Sequence, residues 1–238
     1  MKKISIFILV ALAISSCSNS SSTSGNVSLK ASAVSATGKT SSTARTAAST
    51  VVITDFRINI GNIKFETAMD DVMHDKDPMH EDVKLMGPFL LDLLDPNKPL
   101  SQFITSVDVP NAKYEEIKFM FTKSLVDGDM MGKTFMIKGT INDKPFIIWS
   151  AENVELGMDF MDPTKDFAVN DNSVALNIKI QLDAIMTKLT TLANQGLLLD
   201  TDGDGTIEMT TGLDDGHSTI GHQIKELLEN ETHLDDKD

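Results

Sequence analysis

Residues 173–182, Ser-Val-Ala-Leu-Asn-Ile-Lys-Ile-Gln-Leu, decide the fold class of this chain. Large apolar side chains stand at every second position of this segment, and small or polar side chains stand between them. Because successive side chains of a strand point to opposite faces, this alternation predicts a half-buried antiparallel strand.

The same two-residue period recurs upstream and predicts several further strands. The first, within 51–65, changes phase at Gly61-Asn62, which predicts a β-bulge that keeps the apolar side chains on one face. Other extended segments are predicted at 83–94 and 114–122, followed by a hairpin of 135–141 and 145–149. Strands without interposed helices are typical of two packed sheets, so we predict a mainly β, antiparallel β-sandwich of immunoglobulin-like or transthyretin-like type.

Two helices are predicted near the C-terminus. Asp183 precedes a helical apolar period that ends near Gly196, and Ser218 precedes a second such period. The last residues, 235–238, are predicted to be frayed and solvated.

Composition excludes some classes of function. The chain has 238 residues and a net charge of −14, from 35 acidic and 21 basic residues. A nucleic-acid partner needs a basic face, so this balance argues against one. The chain contains a single cysteine, which rules out a disulfide framework.

The N-terminus has the pattern of an export signal. Lys2 and Lys3 precede a short apolar run, 4–14, which is too short to span a bilayer. The residues Ile14-Ser15-Ser16-Cys17 resemble the lipobox of bacterial lipoproteins, which implies a signal peptide at 1–16 and a diacylated Cys17. Two acyl chains suffice for stable anchoring, so we predict a protein of the cell envelope, lipid-anchored in the outer membrane.

Residues 17–50 are predicted to be a disordered tether between the lipid and a folded body. Of residues 18–50, 23 of 33 are Ser, Thr or Ala, and this segment carries a charge of +3. Such a composition buries little apolar surface to offset the ordering entropy. A random coil of this length reaches about 30 Å. The body is predicted to comprise a sandwich domain at 51–196 and a loop with a helix at 197–238.

The order of the predicted strands resembles a family of secreted bacterial β-sandwich domains of unknown function (DUF4382-like). Three short motifs carry the resemblance: Asp92-Leu93-Leu94, the turn 110–114 and Leu182-Asp183-Ala184. It covers residues 51–190 and departs at the turn, where Ala112-Lys113 replaces the usual glycine. The resemblance implies a secreted β-sandwich, and the family offers no catalytic residues to transfer.

Residues 200–207, Asp-Thr-Asp-Gly-Asp-Gly-Thr-Ile, match the first eight positions of an EF-hand-type calcium loop. Carboxylates at alternate positions supply the hard oxygens that calcium prefers, and the glycine permits the bend. Position twelve is Thr211 instead of glutamate, so another acid would have to complete the shell. The predicted structural calcium site comprises Asp200, Asp202, Asp204, Thr206, Glu208 and Asp214; the same loop without metal is the alternative.

The segment 68–82 offers a second kind of metal site. Thioether and imidazole groups suit copper or another soft metal, and the candidate ligands are Met69, Met73, His74, Met79 and His80. Methionines can equally fill gaps or form an interaction surface, so both interpretations stand.

No motif of an enzyme is present: the chain lacks a nucleophile elbow, a glycine-rich phosphate loop and a paired-histidine zinc motif. We therefore predict a lipid-anchored, non-catalytic binding protein with a structural calcium loop. Its role would be adhesion, envelope assembly or binding of a protein or glycan partner. The alternative is a lipoprotein that binds or handles copper through residues 69–80.

Overall fold

The computed structural model describes residues 24–34, 43–45, 50–67, 82–99, 101–159, 167–169, 173–210, 216–230 and 232–235. Within these residues the chain is mainly β with two helices. The strands are β1 Ser24–Val34, β2 Thr43–Arg45, β3 Thr50–Thr67, β4 Val83–Asp92, β5 Gln102–Pro110, β6 Lys113–Phe121, β7 Phe135–Ile141, β8 Lys144–Ser150, β9 Val154–Asp159, β10 Phe167–Ala168, β11 Val174–Gln181, β12 Ile207–Thr210 and β13 Thr232–Asp235. The helices are α1 Leu182–Asn194 and α2 Ser218–Asn230.

The strands form two sheets that share one hydrophobic core, which is the arrangement of a β-sandwich. The smaller sheet has the order β13-β11-β1-β5. The larger one runs β10-β6-β3-β7-β8-β12, with β2 and β4 also paired to β3 and β9 paired to β6. The predicted fold class, a β-sandwich with helices near the C-terminus, is confirmed.

The predicted tether is wrong over residues 43–45, which form β2 and pair with β3. It is also wrong over residues 24–34, because β1 occupies the interior of the smaller sheet. It pairs with β11 on one edge and β5 on the other. Val27, Leu29, Ala31 and Ala33 are almost fully buried. These apolar residues alternate with Ser28, Lys30 and Ser32, so the period of a strand was present within the serine-rich composition.

Pairing with β1 gives β11 a parallel neighbour, which the sequence did not predict. The predicted strand at 173–182 is present as Val174–Gln181, but it pairs in parallel with β1 and antiparallel with β13. The prediction of a purely antiparallel sheet is therefore wrong at this pair, and β8–β12 is a second parallel pair. Residue 235 was predicted to be frayed, but Asp235 belongs to β13.

The long strand β3 is shared by two parts of the larger sheet. Along one edge it pairs first with β7, through residues 51–58, and then with β6, through residues 60–67. The opposite edge pairs with β2 and then with β4. Where β7 gives way to β6, the ladder divides.

Asn59 makes the hydrogen bonds that join β3 to the neighbouring chain at this division. Its backbone N–H donates to the Thr134 carbonyl at 2.9 Å, and its side-chain Nδ2 donates to the Thr122 carbonyl at 2.8 Å. The Thr122 N–H donates in turn to the Asn59 carbonyl at 3.0 Å.

The register shifts at 60–62 confirm the predicted bulge. A Cβ on Gly61 would lie 2.2 Å from Oγ1 of Thr122, so the close approach requires glycine.

Other local predictions have mixed outcomes. The hairpin β7–β8 is confirmed, and Asn142 and Asp143 both take the positive φ that a two-residue turn requires. Asp183 does not cap α1, because the residue at the N-cap is Gln181 and the helix begins at Leu182. The strands that the sequence did not predict are β1, β2, β5, β9, β10, β12 and β13.

Tyr114 fixes one end of the sandwich by an arrangement known as a tyrosine corner. Its hydroxyl donates to the Pro110 carbonyl at 2.9 Å, and its ring meets Phe65 edge-on at 5.8 Å. Burial raises the pKa of Tyr114 from 10.0 to about 12, because the phenolate would lose its hydration.

Leu29→Ala tests whether β1 belongs to the core. We expect a loss of about 2–5 kcal/mol in the free energy of unfolding, the usual cost of truncating a buried leucine, measured by urea denaturation. Ser28→Ala, on the opposite face of the same strand, serves as the control and should change it by less than about 0.5 kcal/mol. If neither substitution changes the free energy of unfolding, residues 24–34 are not part of the core and the predicted tether stands.

Tyr114 is the only tyrosine, so near-ultraviolet absorbance reads its ionisation alone. We expect the native midpoint to lie well above that of the denatured chain, towards pH 12 against 10.0. The folded state keeps the phenol neutral, so its contribution to stability is complete below pH 10.0 and declines as the pH rises from there towards 12. Tyr114→Phe should abolish both the signal and this decline; a native midpoint near 10.0 would contradict the buried geometry.

Candidate metal centre

The predicted calcium loop lies between the end of α1 and the start of β12. α1 ends in a turn in which Gly196 has a φ of +68° and the Leu197 N–H donates to the Leu192 carbonyl at 3.0 Å. Leu198 is then buried in the core and fixes the point where the loop begins. On the far side, β12 buries Ile207 and Met209. The loop is therefore anchored in the core at both of its ends.

The carboxylates of Asp200, Asp202 and Asp204 converge. One oxygen of each lies within 4.8 Å of the others. This alternate spacing brings all three to the same concave side of the loop, as the sequence pattern predicted. Like charges held this close repel one another, and a divalent cation between them would remove the repulsion.

Backbone amides of the loop hold these carboxylates in place. Asp200 accepts from the N–H of Gly203 at 2.7 Å and from that of Gly205 at 3.0 Å. Asp202 accepts from the Asp204 N–H, and Asp204 accepts from the Thr206 N–H. Gly203 and Gly205 have φ values of +81° and +96°, which glycine adopts without strain. The turn is thus organised around its acidic side chains.

The remaining predicted ligands have different outcomes. Thr206 lies two residues after Asp204, and its N–H donates to the Asp204 carboxylate at 2.7 Å. Glu208 lies on β12 between two buried residues and, among the described acids, is not part of the converging group. Asp214 and Thr211 fall outside the described residues. The described part of the site therefore comprises three carboxylates and the backbone around Thr206.

His217 makes a contact with the start of the loop that the sequence did not predict. It directly precedes α2, and its Nε2 lies 2.8 Å from the Leu199 carbonyl oxygen, one residue before Asp200. α2 in turn packs on β12, the strand that follows the loop. The loop is thus connected to α2 from both sides. The sequence gives no signal of this contact, because the two residues that make it lie 18 positions apart.

Three converging carboxylates, those of Asp202 and Asp204 exposed and that of Asp200 half-buried, form a donor set for a hard cation such as calcium. Calcium takes six to eight oxygens, so water or further protein groups would complete the shell. The loop offers no thiolate or imidazole among the converging atoms, which disfavours a soft metal here.

The other sequence-predicted sites lie outside the described residues. These are Cys17 and the candidate soft-metal ligands Met69, Met73, His74, Met79 and His80. The two described strands next to the Met/His segment, β3 and β4, are antiparallel partners. The soft-metal site stays a prediction from sequence.

Comparison with known proteins finds no protein-family model, curated protein or solved structure that matches this chain. Of the helices in the described part of the chain, neither is long and apolar enough to cross a membrane.

Calcium should raise the melting temperature of the protein. Sites of this exposed kind bind at about 10⁻⁴–10⁻³ M, and a tenfold excess over Kd stabilises the folded state by about 1.4 kcal/mol. For a chain of this size that is a shift of about 3–6 °C, measured by thermal denaturation with calcium against a chelator.

Asp202→Ala should abolish the calcium shift, because it removes one of the three converging carboxylates. Asp127→Ala provides a control of equal charge change, since Asp127 is an exposed acid of a different loop. A calcium shift that survives in Asp202→Ala, or one that is absent from the unaltered protein, would contradict the site.

Proposed function

We propose that this protein is a lipid-anchored, non-catalytic binding protein of the cell envelope, in which a calcium ion stabilises the link between the sandwich and α2. The observation that supports the calcium part best is the convergence of Asp200, Asp202 and Asp204 on a loop held by its own backbone amides. Its role is structural, because the loop joins two core elements, α1 and β12.

The lipid anchor rests on the residues around Cys17. A basic start, a short apolar run and a cysteine after two serines form the pattern that resembles a lipobox. Metabolic labelling with a fatty-acid probe should mark the protein in bacterial cells, and Cys17→Ala should remove the label because it removes the only thiol. An unlabelled parent protein would overturn the anchor.

A binding role is supported by the loop 122–134, which displays apolar side chains on a rigid framework. Leu125 is 83% exposed, and Val126 and Met131 are about half exposed. Single exposed apolar residues are common on protein surfaces. Here Ser124 and Met131 form a β-bridge, so the backbone next to Leu125 lies beside the backbone at Met131.

The loop is fixed to the outer face of the larger sheet. The Ser124 N–H donates to the Lys133 carbonyl, and the Gly132 N–H donates to the Ser124 carbonyl at 2.8 Å. Met130 is buried beneath the loop. The Lys138 ammonium donates to Asp129 at 2.8 Å and lowers the pKa of that carboxyl. A preorganised loop loses little entropy on binding, so its apolar side chains are suited to anchor a partner.

We expect the partner at this loop to be a protein. Leucine, valine and methionine side chains fill apolar pockets, and methionine adapts to irregular ones. Leucine and valine offer no hydrogen-bonding group, and methionine offers only a weakly accepting sulfur, so these side chains suit the hydroxyls of a glycan poorly. Adhesion and envelope assembly are both compatible with such a contact.

Photo-crosslinking in intact cells tests the binding role. A photoreactive amino acid at Leu125 should give a discrete crosslinked protein, because this side chain would enter the partner's pocket. The same amino acid at Thr187, an exposed residue of α1, is the control and should not give that product. The same products from both positions, or none from Leu125, would contradict a specific contact.

A further inference from the structure

The position of β1 determines where a lipid on Cys17 would be attached to the body. β1 begins at Ser24, which pairs with Pro110 at the end of β5. Pro110 leads through a short turn to Lys113 and Tyr114, and Tyr114 pairs with Thr67 at the end of β3. We call this end of the sandwich, defined by Ser24, Pro110–Lys113 and Thr67, the anchor pole.

The chain between the lipid and the anchor pole is short. Seven Cα–Cα steps separate Cys17 from Ser24, and they span at most about 25 Å when fully extended. Seven residues of any flexible chain span about 15 Å on average. This distance is half of the reach of about 30 Å expected for a tether of residues 18–50. The tether is shorter because β1 begins at Ser24.

The opposite end of the sandwich is far from the anchor pole. β3 runs from Val51, paired with Ile141, to Thr67, paired with Tyr114. Sixteen residues of strand span about 50 Å if straight, and the bulge shortens this somewhat. We call the end near Ile141, defined by Asn142–Lys144 and Asp200–Asp204, the distal pole. The aspartate loop belongs to it because β12 follows that loop and pairs Ile207 with Phe146, two residues beyond Lys144.

The charges of the two poles favour the same orientation as the position of the tether does. The distal pole carries four acids, Asp143 and the three converging aspartates, against one base, Lys144. Residues 51–238 together carry a net charge of −19, from 16 basic and 35 acidic residues. An anionic membrane surface therefore repels the distal pole more than it repels the anchor pole, where Lys113 is exposed.

We infer that the anchor pole faces the lipid bilayer and that the distal pole, with the aspartate loop, points away from it. The inference rests on the proposed lipidation of Cys17, and adds a fixed orientation to it. A short covalent attachment keeps the anchor pole close to the bilayer without any specific lipid contact, whereas the distal pole reaches the bilayer only if the body tilts over. The surface available to partners in the surroundings is then the distal pole and the flanks, including the loop 122–134.

Energy transfer from the protein to the bilayer tests the orientation. The single native cysteine is consumed by lipidation, so one engineered cysteine can carry a donor dye on the full lipidated protein. Lys113→Cys labels the anchor pole and Lys144→Cys labels the distal pole, with the same change of charge in both variants. In vesicles of phosphatidylcholine and phosphatidylglycerol with acceptor-labelled headgroups, we expect transfer from 113 to exceed transfer from 144 several-fold.

The outcomes separate the orientation from the anchor. Equal transfer from both positions on vesicle-bound protein would overturn the orientation and leave the lipidation intact. Protein that does not bind vesicles and carries no acyl chains would overturn the proposed anchor itself. Inserting about 30 flexible Gly/Ser residues after Ser20, which lengthens the average reach to about 35 Å, should reduce the difference between the positions. A difference unaffected by the insertion would show that a direct membrane contact, and not tether length, sets the orientation.

Discussion

The structure depends on the division of the β3 ladder at Asn59. One continuous strand cannot keep a regular partner along its whole length here, because β7 ends at its middle and β6 continues from there. Each change of partner leaves backbone groups in the interior that require hydrogen bonds. Asn59 supplies them from its main chain and its amide, and it is itself almost fully buried. The absence of a side chain at Gly61 lets β6 approach at the same point.

The division also explains how the candidate surfaces arise. The segment between β6 and β7 must return from one part of β3 to the other, and it does so as the loop 122–134 on the outer face of the sheet. Thr134 donates to the Ser150 carbonyl from both its N–H and its hydroxyl, which ties the end of this loop to β8. The loop that displays Leu125 is thus a consequence of the same constraint that shapes the core.

The aspartate loop and the anchor pole lie at opposite ends of this framework. β3 carries the anchor pole at its C-terminal end, and the hairpin β7–β8 with the parallel strand β12 forms the distal pole at its N-terminal end. His217 adds a contact from α2 to the residue before the loop. An ion bound by the three aspartates would therefore act on the α1–β12 link and on the docking of α2, at a distance from the anchor pole.

Short-range patterns in the sequence determined the strand at 174–181, the bulge at Gly61, the hairpin turn at 142–143 and the convergence of Asp200, Asp202 and Asp204. Each of these depends on side-chain alternation or on φ preferences within a few residues, which local sequence records. Only the tertiary structure decided that residues 24–34 form the centre of a sheet, that β11 runs parallel to that strand, and that His217 contacts Leu199. The reason is physical: an Ala- and Ser-containing strand gains its stability from burial between two partners that lie 70 or more residues away. Composition alone does not reveal these partners, which make residues 24–34 of the predicted tether part of a sheet and its core.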